Sequence, residues 1–222
     1  MEKPKEKKGD YQPDDLNQWL EREKALLYDY LARMTGDLDG ASSTLLEVIQ
    51  VVGREVRQRP GGVDNVRQLL YQTARNFSGN TWQKIPVELI ETEYSGVNKQ
   101  SQLYELEMLV NEFANKQREA LLLKFRYGFT ASEIASISKV PLPVIQDLIN
   151  TGVLKIRQAN GSFEMTAMKQ LPLFQVKDID AMSTMALSEI IPLDRASRFR
   201  WLKTLVWLGL IVSLVLYYVS YG

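Results

Sequence analysis

Residues 130–157 hold the spacing richest in recognisable chemistry. Thr130 and Glu133 match a capping box, in which the threonine hydroxyl accepts from the Glu133 amide while the glutamate returns to the Thr130 amide. A short helix is predicted to start there. Ile134, Ala135 and Ile137 supply its inner face, residues 138–140 make a tight turn, and Pro141 or Pro143 opens a further helix through Ile145, Ile149, Gly152 and Ile156. A small residue such as Ala135 suits a close helix crossing, and an apolar one such as Val140 plugs the turn. This is helix-turn-helix spacing, although a plain helical hairpin produces a similar pattern. A helix that enters the major groove needs polar side chains toward base edges and cations near phosphates. Gln146 and Asn150 could read base edges, Thr151 shares their side of the helix, and Lys155 and Arg157 are its cations. Asp147 would be repelled by the phosphate backbone, so weak DNA binding with a shallow salt dependence is expected.

The composition removes most other chemistry. With no cysteine and no histidine there are no disulfides, thiolate or imidazole metal ligands, cysteine nucleophiles or imidazole-based triads. The carboxylates form no obvious close pair, and no G-x-x-x-x-G-K-[ST] phosphate loop occurs. No enzymatic activity, cofactor or metal is expected. Lys+Arg and Asp+Glu both number 27, so any nucleic-acid-binding surface must be a local one.

The elements that would position these residues read as helices nearly throughout, without convincing period-two alternation, so an all-α fold is predicted. Residues 1–12 form a charged tail. Pro13 opens a helix carrying Leu16, Trp19, Leu20, Leu26, Leu27, Tyr30 and Leu31, which Gly36 closes. A second helix is predicted from about Ser42, with Leu45, Val48, Ile49, Val52 and Val56 on its apolar face, and it ends in the turn at Pro60, Gly61 and Gly62. Asp64 is the predicted cap of a third, with Val66, Leu69, Leu70, Thr73, Ala74 and Phe77 inward. Residues 13–84 thus form one helical domain, 85–101 a linker and 102–157 a second domain, with breaks at Asn115, Gly128 and Val140.

Residues 158–200 form a juxtamembrane segment too apolar for a pure spacer. Met165, Met168, Leu171, Leu173 and Phe174 suit either a docking surface or packing against the second domain. Residues 204–222 carry no charge, and 201–222 is predicted to be a transmembrane helix with Trp201 and Tyr221 at its interfaces, a buried C-terminal helix being the alternative. Arg195, Arg198, Arg200 and Lys203 precede the span and no basic residue follows it, so the N-terminal bulk is expected on the cytoplasmic side of the membrane.

The order and spacing of these helices over roughly residues 15–157 resemble the extracytoplasmic-function sigma factors. The stretch YDYLARMTGDLDGASSTLLEVIQVV is similar to the family's polymerase-clamp-binding helices. That similarity implies contacts to core RNA polymerase from Asp37, Glu47 and Ile49. The stretch VRQLLYQTARNFSGNTWQK is similar to the part that opens and reads the downstream promoter element, which implies DNA contacts from Arg75, Asn76, Trp82 and Lys84. Residues 115–157 resemble the helix-turn-helix domain that reads the upstream element. Ser43 and Leu46 stand where the family usually offers an acidic residue and a glutamine, and the helix from Ile145 to Arg157 lacks the family's basic richness.

Two classes of function fit. The resemblance implies a membrane-tethered sigma factor that binds core polymerase and promoter DNA to direct transcription initiation. The acidic and neutral recognition helix fits instead a sigma-derived membrane adaptor that binds an anti-sigma factor, a membrane signalling partner or polymerase and no longer reads promoters.

Overall fold

A computed structural model describes residues 13–58, 65–79, 81–94, 102–161 and 163–175, and no strand occurs among them. Eight α-helices follow in order: α1 Pro13–Thr35, α2 Leu38–Gln58, α3 Val66–Ser78, α4 Val87–Glu93, α5 Gln102–Glu112, α6 Asn115–Leu121, α7 Ala131–Ser138 and α8 Leu142–Ala159. A π turn, Leu122–Arg126, continues α6, and a 3-10 turn, Met165–Gln170, follows α8. The predicted tail at 1–12, the turn at 60–62 and the transmembrane segment at 201–222 lie outside the described residues, as do 176–200 of the juxtamembrane segment. No helix among the described residues is long and apolar enough to cross a membrane.

The helices form two groups. In the first, α1, α2 and α3 pack pairwise around Leu27, Leu31, Val48, Val52, Leu70 and Ala74, all buried. Gly36 ends α1 at φ +65°, where a Cβ would also come within 2.5 Å of the Lys84 carbonyl oxygen, so both backbone and space require glycine. Asp37 then accepts from the Gly40 amide (3.0 Å), and α2 begins at Leu38 rather than near Ser42. The capping carboxylate lay upstream of the apolar run on which the sequence reading rested. The cap of α3 is Asn65, whose side chain accepts from the Gln68 amide at 2.9 Å, one residue beyond the predicted Asp64. Phe77, predicted to face inward, is 45% exposed, while Tyr71 takes a fully buried place.

The second group is α6, the π turn, α7 and α8. The π turn brings Leu122, Leu123 and Arg126 inside together. Gly128, at φ +78°, then turns the chain toward α7. The predicted linker contains α4, and Ile85, Ile90 and Tyr94 are buried. Asn111 of α5 pairs with both backbone groups of Ile85, at 2.9 and 2.8 Å.

The two groups share one core. Tyr30 of α1 and Tyr71 of α3 stack with Tyr127 and Phe129, at centroid distances between 4.8 and 5.9 Å. Around this cluster Arg67 donates to the Tyr127 carbonyl (2.5 Å) and lies 4.3 Å over the Phe129 ring, while Gln68 donates to Ser136 (2.7 Å). The stretch 163–175 also packs inward, with Phe163, Met168, Leu171 and Phe174 buried.

Candidate nucleic-acid and partner interface

The helix-turn-helix unit is built by local rules. Thr130 and Glu133 complete the capping box, with 2.8 Å from the Thr130 amide to Glu133 and 3.2 Å from the Glu133 amide to the threonine hydroxyl. Burial pushes the Glu133 carboxyl up, but the Thr130 amide and hydroxyl, with Asn65, outweigh it and hold the group below its ordinary range. Lys139 ends α7 in the left-handed region (φ 54°), and Val140 returns its amide to the Ala135 carbonyl at 3.2 Å. Ile145, Ile149, Gly152 and Ile156 face inward from α8. The small residue at the tightest crossing is Gly152, where a Cβ would lie 2.8 Å from Leu121 Cδ1; Ala135, expected in that role, is only partly buried.

The outer face of α8 exposes Gln146, Asp147, Asn150, Lys155 and Arg157. Thr151 is half-buried. Its hydroxyl donates to the Asp147 carbonyl (2.7 Å) and accepts from Gln117 Nε2 (2.9 Å), so it joins α8 to α6. Lys155 Nζ lies 5.8 Å from the Phe113 ring centroid. Leu142, Val144 and Leu154 are exposed on the same helix.

Arg75, Asn76, Trp82 and Lys84, expected to contact DNA, are each tied to α5, α6 or the end of α7. Arg75 Nε pairs with Glu119 at 2.9 Å, and its guanidinium lies 5.1 Å over the Trp82 ring. Glu119 also accepts from the Tyr30 hydroxyl (3.0 Å); burial lifts its carboxyl above the ordinary range despite the Arg75 charge. Asn76 accepts from Lys139 Nζ (3.2 Å), the Trp82 carbonyl accepts from Asn115 (3.2 Å), and Lys84 pairs with Glu112 (2.5 Å). Beneath them the buried Arg118 donates to the carbonyls of Gln83 (2.6 Å) and Met34 (3.4 Å) and to Asn111 (3.1 Å). Burial pushes this guanidinium down to about 10, which still leaves it charged at neutral pH. The structure therefore gathers Arg75, Asn76, Trp82 and Lys84 along one seam, whereas Gln146, Asn150 and Arg157 face solvent on α8.

The residues expected to meet polymerase separate by burial. Asp37 and Glu47 are exposed. Ile49 is 1% exposed and belongs to the core of the first group, so it carries α2 rather than presenting a contact.

A buried ionic cluster had no place in the sequence reading. Asp29 and Arg33 of α1, Glu107 of α5 and Arg126 of the π turn are all buried. Asp29 accepts from Arg33 Nε (3.1 Å), Arg126 Nε (2.6 Å) and the Tyr127 hydroxyl (2.6 Å), and Arg33 Nη1 reaches Glu107. Burial pushes the Asp29 carboxyl up, yet Arg33 and Arg126 together hold it below its ordinary range. The available signal was opposite charge at i, i+4 inside the apolar phase of α1, with Asp29 between Tyr28 and Tyr30.

No protein-family model and no curated protein matches the chain. Among solved structures it is similar to the sigma factor RpoE in complex with the anti-sigma factor NepR from Bartonella quintana, at 14% identity and a TM-score of 0.52 over 68% of this chain and 99% of that one. At that identity the likeness shows the fold, and the described chain has the all-helical fold of a sigma factor.

Proposed function

We propose that this chain is a sigma-factor-type regulator of transcription initiation, non-enzymatic and tethered to the bacterial inner membrane through residues 201–222. Its first helical group binds core RNA polymerase through the exposed face of α2 around Asp37 and Glu47, and its two groups together engage promoter DNA weakly. What carries the reading is a three-helix group followed by a capped helix-turn-helix unit in one chain, in the order of the sigma-factor fold. Arg75 and Asn76 are held by Glu119 and Lys139 in this packing, and the Trp82 ring lies under the Arg75 guanidinium, so promoter engagement by these side chains needs the groups to part. Copurification of the detergent-solubilised full chain with core polymerase, followed by transcription from genomic promoters, tests this. Specific transcripts are the expected result; absence of any polymerase binding would sink it. Deleting residues 201–222 should release the chain from the membrane fraction.

A second reading has its own support. Val144 and Leu154 stand exposed on α8 beside Asp147, where a promoter-reading helix would carry cations. That surface favours a sigma-derived membrane adaptor whose partner is a protein such as an anti-sigma factor. Binding of an anti-sigma protein without binding of polymerase or promoter would select it.

A further inference from the structure

The stretch Phe163–Gln175 lies against the buried cluster in an unusual way, for its backbone carbonyls complete the coordination of two arginines. Arg126 Nη1 donates to the carbonyls of Met168 (3.1 Å) and Leu171 (2.8 Å), and its Nη2 donates to that of Pro172 (2.8 Å). Arg33 Nη2 donates to the same Pro172 carbonyl (2.6 Å). In return the Phe174 amide donates to Asp29 Oδ1 (3.0 Å), and the Phe174 ring lies 4.8 Å from the Arg33 guanidinium carbon. Arg33 and Asp29 belong to the first helical group and Arg126 to the second, so the stretch touches both at their junction.

Charge and hydrogen bonding give different answers about what this strap does. Arg33 and Arg126 against Asp29 and Glu107 balance in charge without it. Hydrogen bonding does not balance, because both Nη atoms of Arg126 bond strap carbonyls. Without the strap those donors lose every acceptor they have, and only water can replace it. Parting the groups lets water reach them. We propose that residues 163–175 are a latch that holds the two helical groups closed by capping the Arg33–Asp29–Arg126 cluster, and that its removal opens the seam holding Arg75, Asn76, Trp82 and Lys84. The closure is a property of this chain alone; its consequence for promoter engagement rests on the reading above.

The absence of native cysteine allows a clean distance measurement. Ala25→Cys on α1 and Gln158→Cys on α8, both exposed, take spin labels in the detergent-solubilised full chain, and pulsed EPR reads their separation. Three backgrounds are compared: the otherwise native chain, Phe174→Ala, and a chain whose residues 163–175 are replaced by a Gly-Ser stretch of equal length. The expected result is a single narrow distance in the first, a second longer population in Phe174→Ala, and loss of most of the short distance in the replaced chain. Helical circular dichroism should be retained throughout, and a peptide of residues 163–175 added in trans should restore the short distance. An unchanged distance in the replaced chain overturns the latch. So does loss of helical signal in both altered chains, since the strap would then be part of the folding core. Polymerase copurification of the same chains separates the two conclusions. Opening without polymerase binding removes the functional reading and keeps the latch; polymerase binding without opening does the reverse.

Discussion

Asp29→Asn isolates the charge at the centre of the molecule while conserving its shape. The carboxylate is fully buried and accepts from Arg33 Nε at 3.1 Å to each oxygen, from Arg126 Nε and Tyr127 at 2.6 Å each, and from the Phe174 amide at 3.0 Å. An asparagine keeps one acceptor oxygen and turns an NH2 toward donors on the other side. Arg126 then retains no carboxylate partner, while Arg33 retains Glu107. Breaking a buried pair from one side costs about 3–5 kcal/mol, because the remaining ion stays dehydrated and uncompensated. For a chain of this size each kcal/mol lowers the melting temperature by about 2–4 °C, so a drop of roughly 6–20 °C is expected. Thermal unfolding of the solubilised chain, followed by far-UV circular dichroism at neutral pH, measures it. Lys84→Gln serves as the contrast. Its pair with Glu112 is 52% and 64% exposed, and a surface pair contributes no more than about 1 kcal/mol. A double variant, Asp29→Asn with Arg126→Gln, should cost less than the sum of the singles, since each removal leaves the other's partner stranded. Melting of Asp29→Asn within about 2 °C of the native chain would refute the claim that this cluster is dry and closed.

Gly152→Ala should destabilise the chain by about 1–3 kcal/mol through overpacking, because its Cβ would sit 2.8 and 2.9 Å from the methyls of the buried Leu121; a urea midpoint that rises, as helix propensity alone would give, argues against the close crossing. Glu119→Gln should remove a pH slope. Burial raises the folded-state value of Glu119 above 4.5, so its contribution to stability is fully present below the unfolded value and is lost as pH rises through the folded one. The native chain should therefore gain on the variant as pH falls from neutrality toward 4.5, and parallel stability curves would contradict this. Asp29 has the opposite sign: its value is lowered from 3.8, so its stabilisation is lost only as pH falls below that figure. Asp147→Arg with Asn150→Arg, both on exposed positions of α8, should steepen the salt dependence of duplex binding by about 0.9 in log–log slope for each cation, read by fluorescence anisotropy; an unaltered slope means α8 does not approach phosphates.

Most of the helices and several of their ends are local properties, legible in the amino-acid order. The capping box at Thr130 and Glu133, the glycine at 36 and the start of α8 after Pro141 depend on residues within a turn of one another, so spacing was enough. The uncharged run at 204–222 is legible in the same local way, although it lies outside the described residues. The π turn at 122–126 has no comparable signature, for Leu122, Leu123 and Arg126 read as an ordinary continuation of α6.

Apolar periodicity tells which face of a helix is buried and says nothing about what lies against it. Ile49 shows this from one side: its place among the inward residues of α2 was readable, and its role as core rather than contact follows from burial alone. The charged seam shows it from the other. Arg75 meets Glu119 44 residues away, Asn76 meets Lys139 at 63, and Asp29 meets Arg126 at 97, distances over which no spacing rule operates. Thr151 accepts from Gln117, 34 residues earlier. Residue order by itself therefore determined the all-helical class, the capping box and glycine-ended turns, and most of the buried faces, but not α4, the start of α2 or the cap of α3. Only the tertiary structure decided that the two groups close on each other around Asp29. An ion enters a core when partners from several segments arrive together to replace its water, and that coincidence exists only in the folded chain.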